Sequence, residues 1–224
     1  MTTYAVNDIY PALQGEGMLA GTPMVLLRLH GCPVGCPWCD TKETWHLTPE
    51  HKVGTLAGAL GTNPNWTEAT ETEIASYIAV KYSNLRWVLL TGGEPAMQPL
   101  QPLIDALHAK HFQVAIETSG TADGVLRSGC DWVCVSPKIK MPGGRAVLPE
   151  VVQMADEIKF VIGKQADIDR IAAYIEEWSI VPEWQTISLQ PLSQSSKATQ
   201  MCIDAAMATG WRISLQMHKY LNLR

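Results

Sequence analysis

Short apolar runs recur along the chain, and between them lie stretches whose apolar residues fall three and four positions apart. Runs of the first kind read as buried strands and those of the second as amphipathic helices. Strands are expected over residues 24–29, 87–90, 114–116, 132–135, 158–162, 187–189 and 212–215, and helices over 72–82, 99–110, 167–178 and 196–209. Strands alternating with helices build parallel βα units, so the pattern predicts an α/β fold. Residues 46–70 are the least regular. Gly54, Gly58, Gly61 and Pro64 make them a long connection holding one short helix. No repeat, low-complexity tract or compositional break divides the chain, and one domain over residues 1–224 is expected.

Polar or glycine-rich residues follow nearly every expected strand. The first run leads into Gly31-Cys32-Pro33 and the second into Thr91-Gly92-Gly93-Glu94-Pro95. Later runs lead into Glu117-Thr118-Ser119-Gly120, Ser136-Pro137-Lys138, Gln190-Pro191 and Gln216-Met217-His218-Lys219. In a parallel barrel the carboxyl ends of the strands meet on one face, where active sites are built. Ordinary turn chemistry accounts for the glycines and prolines. It accounts less well for Glu94, Lys138 and His218.

Composition narrows the functional classes. Of 224 residues, 46% are hydrophobic and 17% charged, which suits one sizeable core and excludes a disordered chain. Seventeen basic residues stand against 22 acidic ones with no basic stripe, so nucleic acid is not an expected partner. No apolar run approaches the roughly 18 residues that span a bilayer. The first residues have neither the basic nor the apolar region of an export signal. A cytoplasmic chain with reduced thiols and no membrane partner is expected.

Three of the six cysteines, Cys32, Cys36 and Cys39, fall within eight residues, while Cys130, Cys134 and Cys202 read as small buried hydrophobes. Around the three, Gly31, Pro33, Gly35 and Pro37 bar a regular helix or strand, so the loop is free to curl its sulfurs toward one centre. Two centres suit this spacing. Structural zinc takes four ligands, and His46 would have to be the fourth. An iron–sulfur cluster is held by thiolates, and three cysteines leave one iron of a cubane open to a small molecule.

The Cys32-x3-Cys36-x2-Cys39 spacing after a first strand, with Trp38 before the third cysteine, resembles the radical S-adenosylmethionine superfamily. The segment from Thr91 to Pro95 is similar to that superfamily's motif for the methionine amino group. Other segments resemble, over nearly the whole chain, the short bacterial form of the 7-carboxy-7-deazaguanine synthase family. They are Leu13-Gln14-Gly15-Glu16-Gly17, Arg28, Cys39-Asp40-Thr41, Glu117-Thr118-Ser119-Gly120, Ser136-Pro137-Lys138 and the run from Gln216 to Leu221. The resemblance implies a partial (β/α) barrel of parallel strands, a homodimer, and an electron donor such as flavodoxin or ferredoxin. It implies conversion of 6-carboxy-5,6,7,8-tetrahydropterin to 7-carboxy-7-deazaguanine by ring contraction with loss of ammonia, on the way to queuosine.

Residue roles follow from the same resemblance. Cys32, Cys36 and Cys39 would hold a [4Fe-4S] cluster, whose open iron would take the amino and carboxylate groups of S-adenosylmethionine. Trp38, Cys39, Asp40, Gly93, Glu94, Ser136, Pro137 and Lys138 would contact that cofactor. Leu13, Gln14, Gly15, Glu16, Arg28, Thr91, His218 and the carboxylate of Arg224 would meet the pterin, although family members often end in proline. Thr41 would be the Mg²⁺ position. Elementary chemistry agrees where it speaks: an arginine fork matches a carboxylate, and a carboxylate accepts from ring N–H and amino groups. Two other readings stay open, a radical enzyme that activates a partner protein and a zinc-binding interaction module.

Overall fold

The computed structural model describes residues 1–222. The strands are β1 (Thr3–Leu13), β2 (Pro23–Leu29), β3 (Thr67–Thr70), β4 (Trp87–Thr91), β5 (Gln113–Thr118), β6 (Trp132–Val135), β7 (Glu157–Ile162), β8 (Thr186–Pro191) and β9 (Arg212–Ile213). The helices are α1 (Leu56–Ala59), α2 (Glu71–Lys81), α3 (Leu100–His108), α4 (Pro149–Gln153), α5 (Gln165–Asp169), α6 (Ile171–Glu177), α7 (Ser196–Thr209) and α8 (Met217–Tyr220). All strands join one open sheet in the order β3-β1-β2-β4-β5-β6-β7-β8-β9. β1 is antiparallel to both neighbours, and every pairing from β2 to β9 is parallel. This is the expected partial barrel.

Period-two alternation sends successive side chains to opposite faces of the sheet. Val88, Leu90, Val114, Ile116, Val133, Ile158 and Phe160 share the main core with Ile74 and Ile78 of α2 and Leu103, Ile104 and Leu107 of α3. The concave face is apolar at one end, where Met24, Leu89 and Ala115 cluster. At the carboxyl ends of the strands it turns polar, with Arg28, Thr91, Glu117, Lys159 and Gln190 lining a cleft. Helix ends are set by local chemistry. Thr70 and Glu73 cap α2 reciprocally, at 3.2 and 2.8 Å, and Gly210 ends α7 at φ 77°.

Six elements differ from the sequence reading, two of them the short helices α4 and α8, which no expected segment covers. β1 escapes it, because buried Asn7 and Asp8 break its apolar pattern and Pro11 argues against a strand. Pro11 is tolerated because β3 pairs only with residues 3–6, leaving it a neighbour on one side. β3 lies inside the irregular 46–70 connection, and its sequence Thr-Glu-Ala-Thr carries no apolar run. The helix expected over 167–178 is two, α5 and α6, meeting at Arg170; α5 has no fully buried side chain and touches the core through half-buried Ile168. β9 stops at Ile213 because Ser214 turns inward, its hydroxyl bonded to Gln190. Among the described residues no helix is long and apolar enough to cross a membrane.

Leu90 is fully buried at the centre of β4. Leu90→Ala should cost about 2–5 kcal/mol of stability in urea unfolding. Val80→Ala, at an exposed position of α2, should stay within about 0.5 kcal/mol.

Candidate active site

β2 delivers the chain into the cysteine loop. Gly31 (φ 99°) and Gly35 (φ 72°) take conformations that side chains disfavour. The loop folds back on the next segment: Gly31 N–H donates to Thr44 O at 2.7 Å and Cys32 N–H to Trp45 O at 3.0 Å. Cys32, Cys36 and Cys39 all face one cleft of about 260 Å³ at the strand ends. Cys39 Sγ accepts from the Thr41 N–H and from Trp45 Nε1, both at 3.4 Å. Burial pushes the Cys32 thiol up to about 11 and raises Cys36 as well. Sulfurs so placed become thiolates only against a bound metal centre, which supplies the missing positive charge. Among the described residues, no three His, Cys, Asp or Glu side chains gather tightly enough for a single ion. His46 is exposed and lies off the cleft wall, so the zinc alternative lacks its fourth ligand. Three thiols on one cleft wall are the donor set of a cluster that keeps one iron open.

The glycine-rich turn after β4 is locked to this loop. Gly93 N–H donates to Thr44 Oγ1 at 3.1 Å, and Glu94 N–H to Gly31 O at 2.9 Å. A Cβ on Gly93 would stand 2.5 Å from Gly31 O, so only glycine permits the approach. Glu94 is 2% exposed yet reaches the cleft. Its Oε1 accepts from Thr118 Oγ1 (2.6 Å) and Ala96 N–H (3.0 Å), and its Oε2 from Ser119 N–H (2.7 Å). Three donors fix the carboxylate without neutralising it. On the opposite wall Lys138 Nζ donates to Ser136 Oγ at 2.6 Å, and burial draws the ammonium below its ordinary pKa.

Lys159 of β7 is the centre of the other half of the cleft. It is 2% exposed, and its Nζ donates to Glu16 Oε2 at 2.5 Å and to Glu117 Oε2 at 3.1 Å. Burial opposes its charge, but Glu117 and Glu16 outweigh burial and hold Lys159 protonated well above the usual lysine range. Burial likewise opposes ionisation of Glu16, yet Lys159, helped by Gln216 and His218, brings it down to about 2. Gln216 Nε2 donates to Glu16 Oε1 at 2.9 Å, and Gln14 Nε2 to Glu117 Oε1 at 2.9 Å. Arg28 donates to Tyr10 OH at 3.3 Å and, among the described residues, has no ion-pair partner. Its fork is not consumed by a structural carboxylate.

Most residues singled out by sequence line this one cleft. They include the three cysteines, Trp38, Asp40, Thr41 and Arg28, with Glu16, Thr91, Gly93, Glu94, Ser136 and Lys138. Trp38 is 44% exposed on that wall, so it is not a core residue. Leu13, Gln14, Gly15, Pro137 and His218 lie off its wall. Gln14 reaches the cleft through Glu117, and the His218 ring packs against Gly15. Arg224 lies outside the described residues. The sequence reading gives Lys159 and Glu117 no role, although a lysine inside the apolar run 158–162 is the same irregularity that marks Arg28 in β2.

The Lys159 hub has a pH signature. Glu16 is lowered from its ordinary 4.5, so its contribution is present above that value and lost as pH falls toward 2. Lys159 is raised, so its contribution is complete below its ordinary 10.5 and lost only above it. Lys159→Met strands two carboxylates and should cost about 3–5 kcal/mol at neutral pH. Adding Glu16→Gln and Glu117→Gln should recover most of that and flatten the wild-type loss of urea midpoint between pH 4.5 and 2.

Comparison with known proteins gives the family. Residues 26–139 match the Radical SAM superfamily. The chain is 39% identical over 222 residues to 7-carboxy-7-deazaguanine synthase of Escherichia coli (strain K12), covering 98% of this chain and 99% of that one. It is 33% identical to the synthase of that name from Synechocystis, covering 99% and 94%. The crystal structure of QueE from Escherichia coli superposes with a TM-score of 0.88 at 38% identity, covering 96% of this chain and 95% of that one. With a cluster-type cysteine loop, a glycine turn bonded to it and this likeness along nearly its entire length, the chain belongs to the radical S-adenosylmethionine superfamily and, within it, to the 7-carboxy-7-deazaguanine synthase family.

Proposed function

We propose that this chain, as a single domain over residues 1–224, converts 6-carboxy-5,6,7,8-tetrahydropterin to 7-carboxy-7-deazaguanine with loss of ammonia, in the pathway to queuosine. The observation that carries this reading is one cleft with two unlike halves. Three cysteines line one half, and the Lys159-anchored carboxylates line the other with Arg28, which has no ion-pair partner among the described residues. A bound [4Fe-4S] cluster supplies the single electron that opens the sulfonium of S-adenosylmethionine, chemistry that belongs to the cofactor.

The chain's own residues bind and orient. Cys32, Cys36 and Cys39 hold the cluster. Glu94, pre-set by its three donors, accepts from the cofactor's ammonium, and Gly93 lets the backbone approach. Trp38, Asp40 and the 136–138 segment, Ser136, Pro137 and Lys138, complete that contact. Glu16, held ionised by Lys159, and Glu117 beside it accept from the amino and N–H edge of the pterin. Gln14 and Thr91 add adaptable polar contacts, and Leu13, Gly15 and His218 shape the approach. Arg28 takes the pterin carboxylate in its planar fork. Thr41 Oγ1 would be the protein oxygen for Mg²⁺, an ion that ordinarily takes most of its ligands from water and substrate. The terminal carboxylate of Arg224 reaches the substrate. The enzyme works as a cytoplasmic homodimer reduced by flavodoxin or ferredoxin, without nucleic acid or membrane.

Anaerobic reconstitution with iron and sulfide should give a brown protein. With S-adenosylmethionine, reductant, Mg²⁺ and the carboxypterin it should release 7-carboxy-7-deazaguanine, detected by mass spectrometry. A fully loaded cluster without that product would sink the substrate assignment. Cys36→Ala should lose most of the bound iron. Arg28→Lys should keep its iron while KM for the pterin rises on the order of tenfold, because a point charge cannot replace the fork.

A further inference from the structure

Glu157 opens β7 on the concave face, two positions before Lys159, and the proposed chemistry does not use it. It is 1% exposed. Its Oε1 accepts from Ser188 Oγ at 2.5 Å and its Oε2 from the Met18 backbone N–H at 2.9 Å. Among the described residues no ion pair reaches it. Burying a carboxylate without a counter-ion is costly, and an apolar side chain of similar volume would pack beside Leu89 and Trp132 at less expense. What the carboxylate adds is a fixed point for one piece of backbone.

That backbone is the turn that carries Gln14 and Glu16. Gly17 lies directly over Glu157: at φ 66° a Cβ would stand 2.6 Å from Oε2. Gly17 N–H donates to Ser214 Oγ at 2.9 Å, and Met217 N–H to Gly15 O at 2.8 Å. The turn is therefore held from the side by the chain's last segment and from below by β7 and β8 through Glu157. Glu16 sits between these anchors, one residue from Gly17, with its own oxygens on Lys159 and Gln216.

We infer that Glu157 is a positioning residue of the substrate site. It touches no substrate but fixes the 15–18 turn, so that Glu16 and Gln14 meet the pterin edge at the right height. This rests on the proposed pterin chemistry, so wild-type product formation is established first; its absence would overturn that chemistry and is distinct from any failure of Glu157 as an anchor. In Glu157→Ala, KM for the pterin, and Kd measured by calorimetry on enzyme without reductant, should rise on the order of tenfold or more, with kcat within about threefold and iron content unchanged. Glu157→Gln should return both constants to within about threefold, since its amide oxygen accepts from Met18 N–H and its amide nitrogen donates to Ser188 Oγ. A folded Glu157→Ala with wild-type KM and Kd, or a Glu157→Gln as impaired as the alanine variant, would overturn the inference. Should Glu157→Ala not fold, Gly17→Ala gives the test by pressing on the same carboxylate. A raised KM with retained iron supports the anchor, and an unchanged KM removes it.

Discussion

One buried ammonium organises the substrate side of this protein. Lys159 Nζ ties β7 to β5 through Glu117 and to the turn between β1 and β2 through Glu16. Three segments far apart in the chain meet on a single donor. In a low-dielectric setting such a pairing is not a source of stability by itself, because desolvation offsets much of the attraction. Its consequence is geometric: two carboxylates are held on one donor at fixed places in a cleft, and Glu16 stays ionised despite its burial. The acceptors offered to a pterin edge thus depend on a residue that need not touch the pterin.

The cofactor side is built on a second, independent tie. The cysteine loop and the glycine turn after β4 share two hydrogen bonds, from Gly93 to Thr44 and from Glu94 to Gly31. Thr44 also donates its hydroxyl to Thr41 O at 2.8 Å, so one buried threonine orders both loops. The sulfurs and the Glu94 carboxylate are then fixed relative to each other before any cofactor arrives. Preorganisation of this kind shifts the ordering cost from the binding event to folding. It also explains why the motif demands glycine at 93, where a Cβ would part the two loops.

How much of this is legible in the sequence depends on whether a residue's role is local. The parallel core strands read clearly because both of their faces are buried and their apolar runs are continuous. The cysteine loop reads clearly because spacing alone carries its chemistry. β1 and β3 do not, since β1 owes its place to pairing on one side only at Pro11 and β3 is polar in sequence. Lys159 and Glu117 escape for the same reason in reverse. Their pairing cannot be read where they stand, because it forms only when 42 positions of chain are folded to bring them together. Arg28 stands out because a charge inside an apolar strand is odd, and the same test applied to residues 158–162 finds Lys159.

An open sheet poses a problem that a closed barrel does not. The sheet ends in free edges at β3 and β9, so backbone pairing alone cannot enclose a chamber over the strand ends. Here the enclosure is made by side chains and turns from the two ends of the chain. The 14–22 turn folds across the concave face, closed by Gln14 N–H donating to Thr22 O at 2.9 Å and Gly21 N–H to Gln14 O at 2.8 Å, and the segment from Ser214 to Lys219 closes beside it. Their contacts are hydrogen bonds to Gly15, Glu16 and Gly17 and not strand pairing. Such contacts open and close at lower cost than a ladder, which suits a chamber that must admit two sizeable molecules and then exclude water. The site is thereby assembled only when residues about 200 positions apart are docked on each other, and the incomplete barrel is what makes that docking necessary.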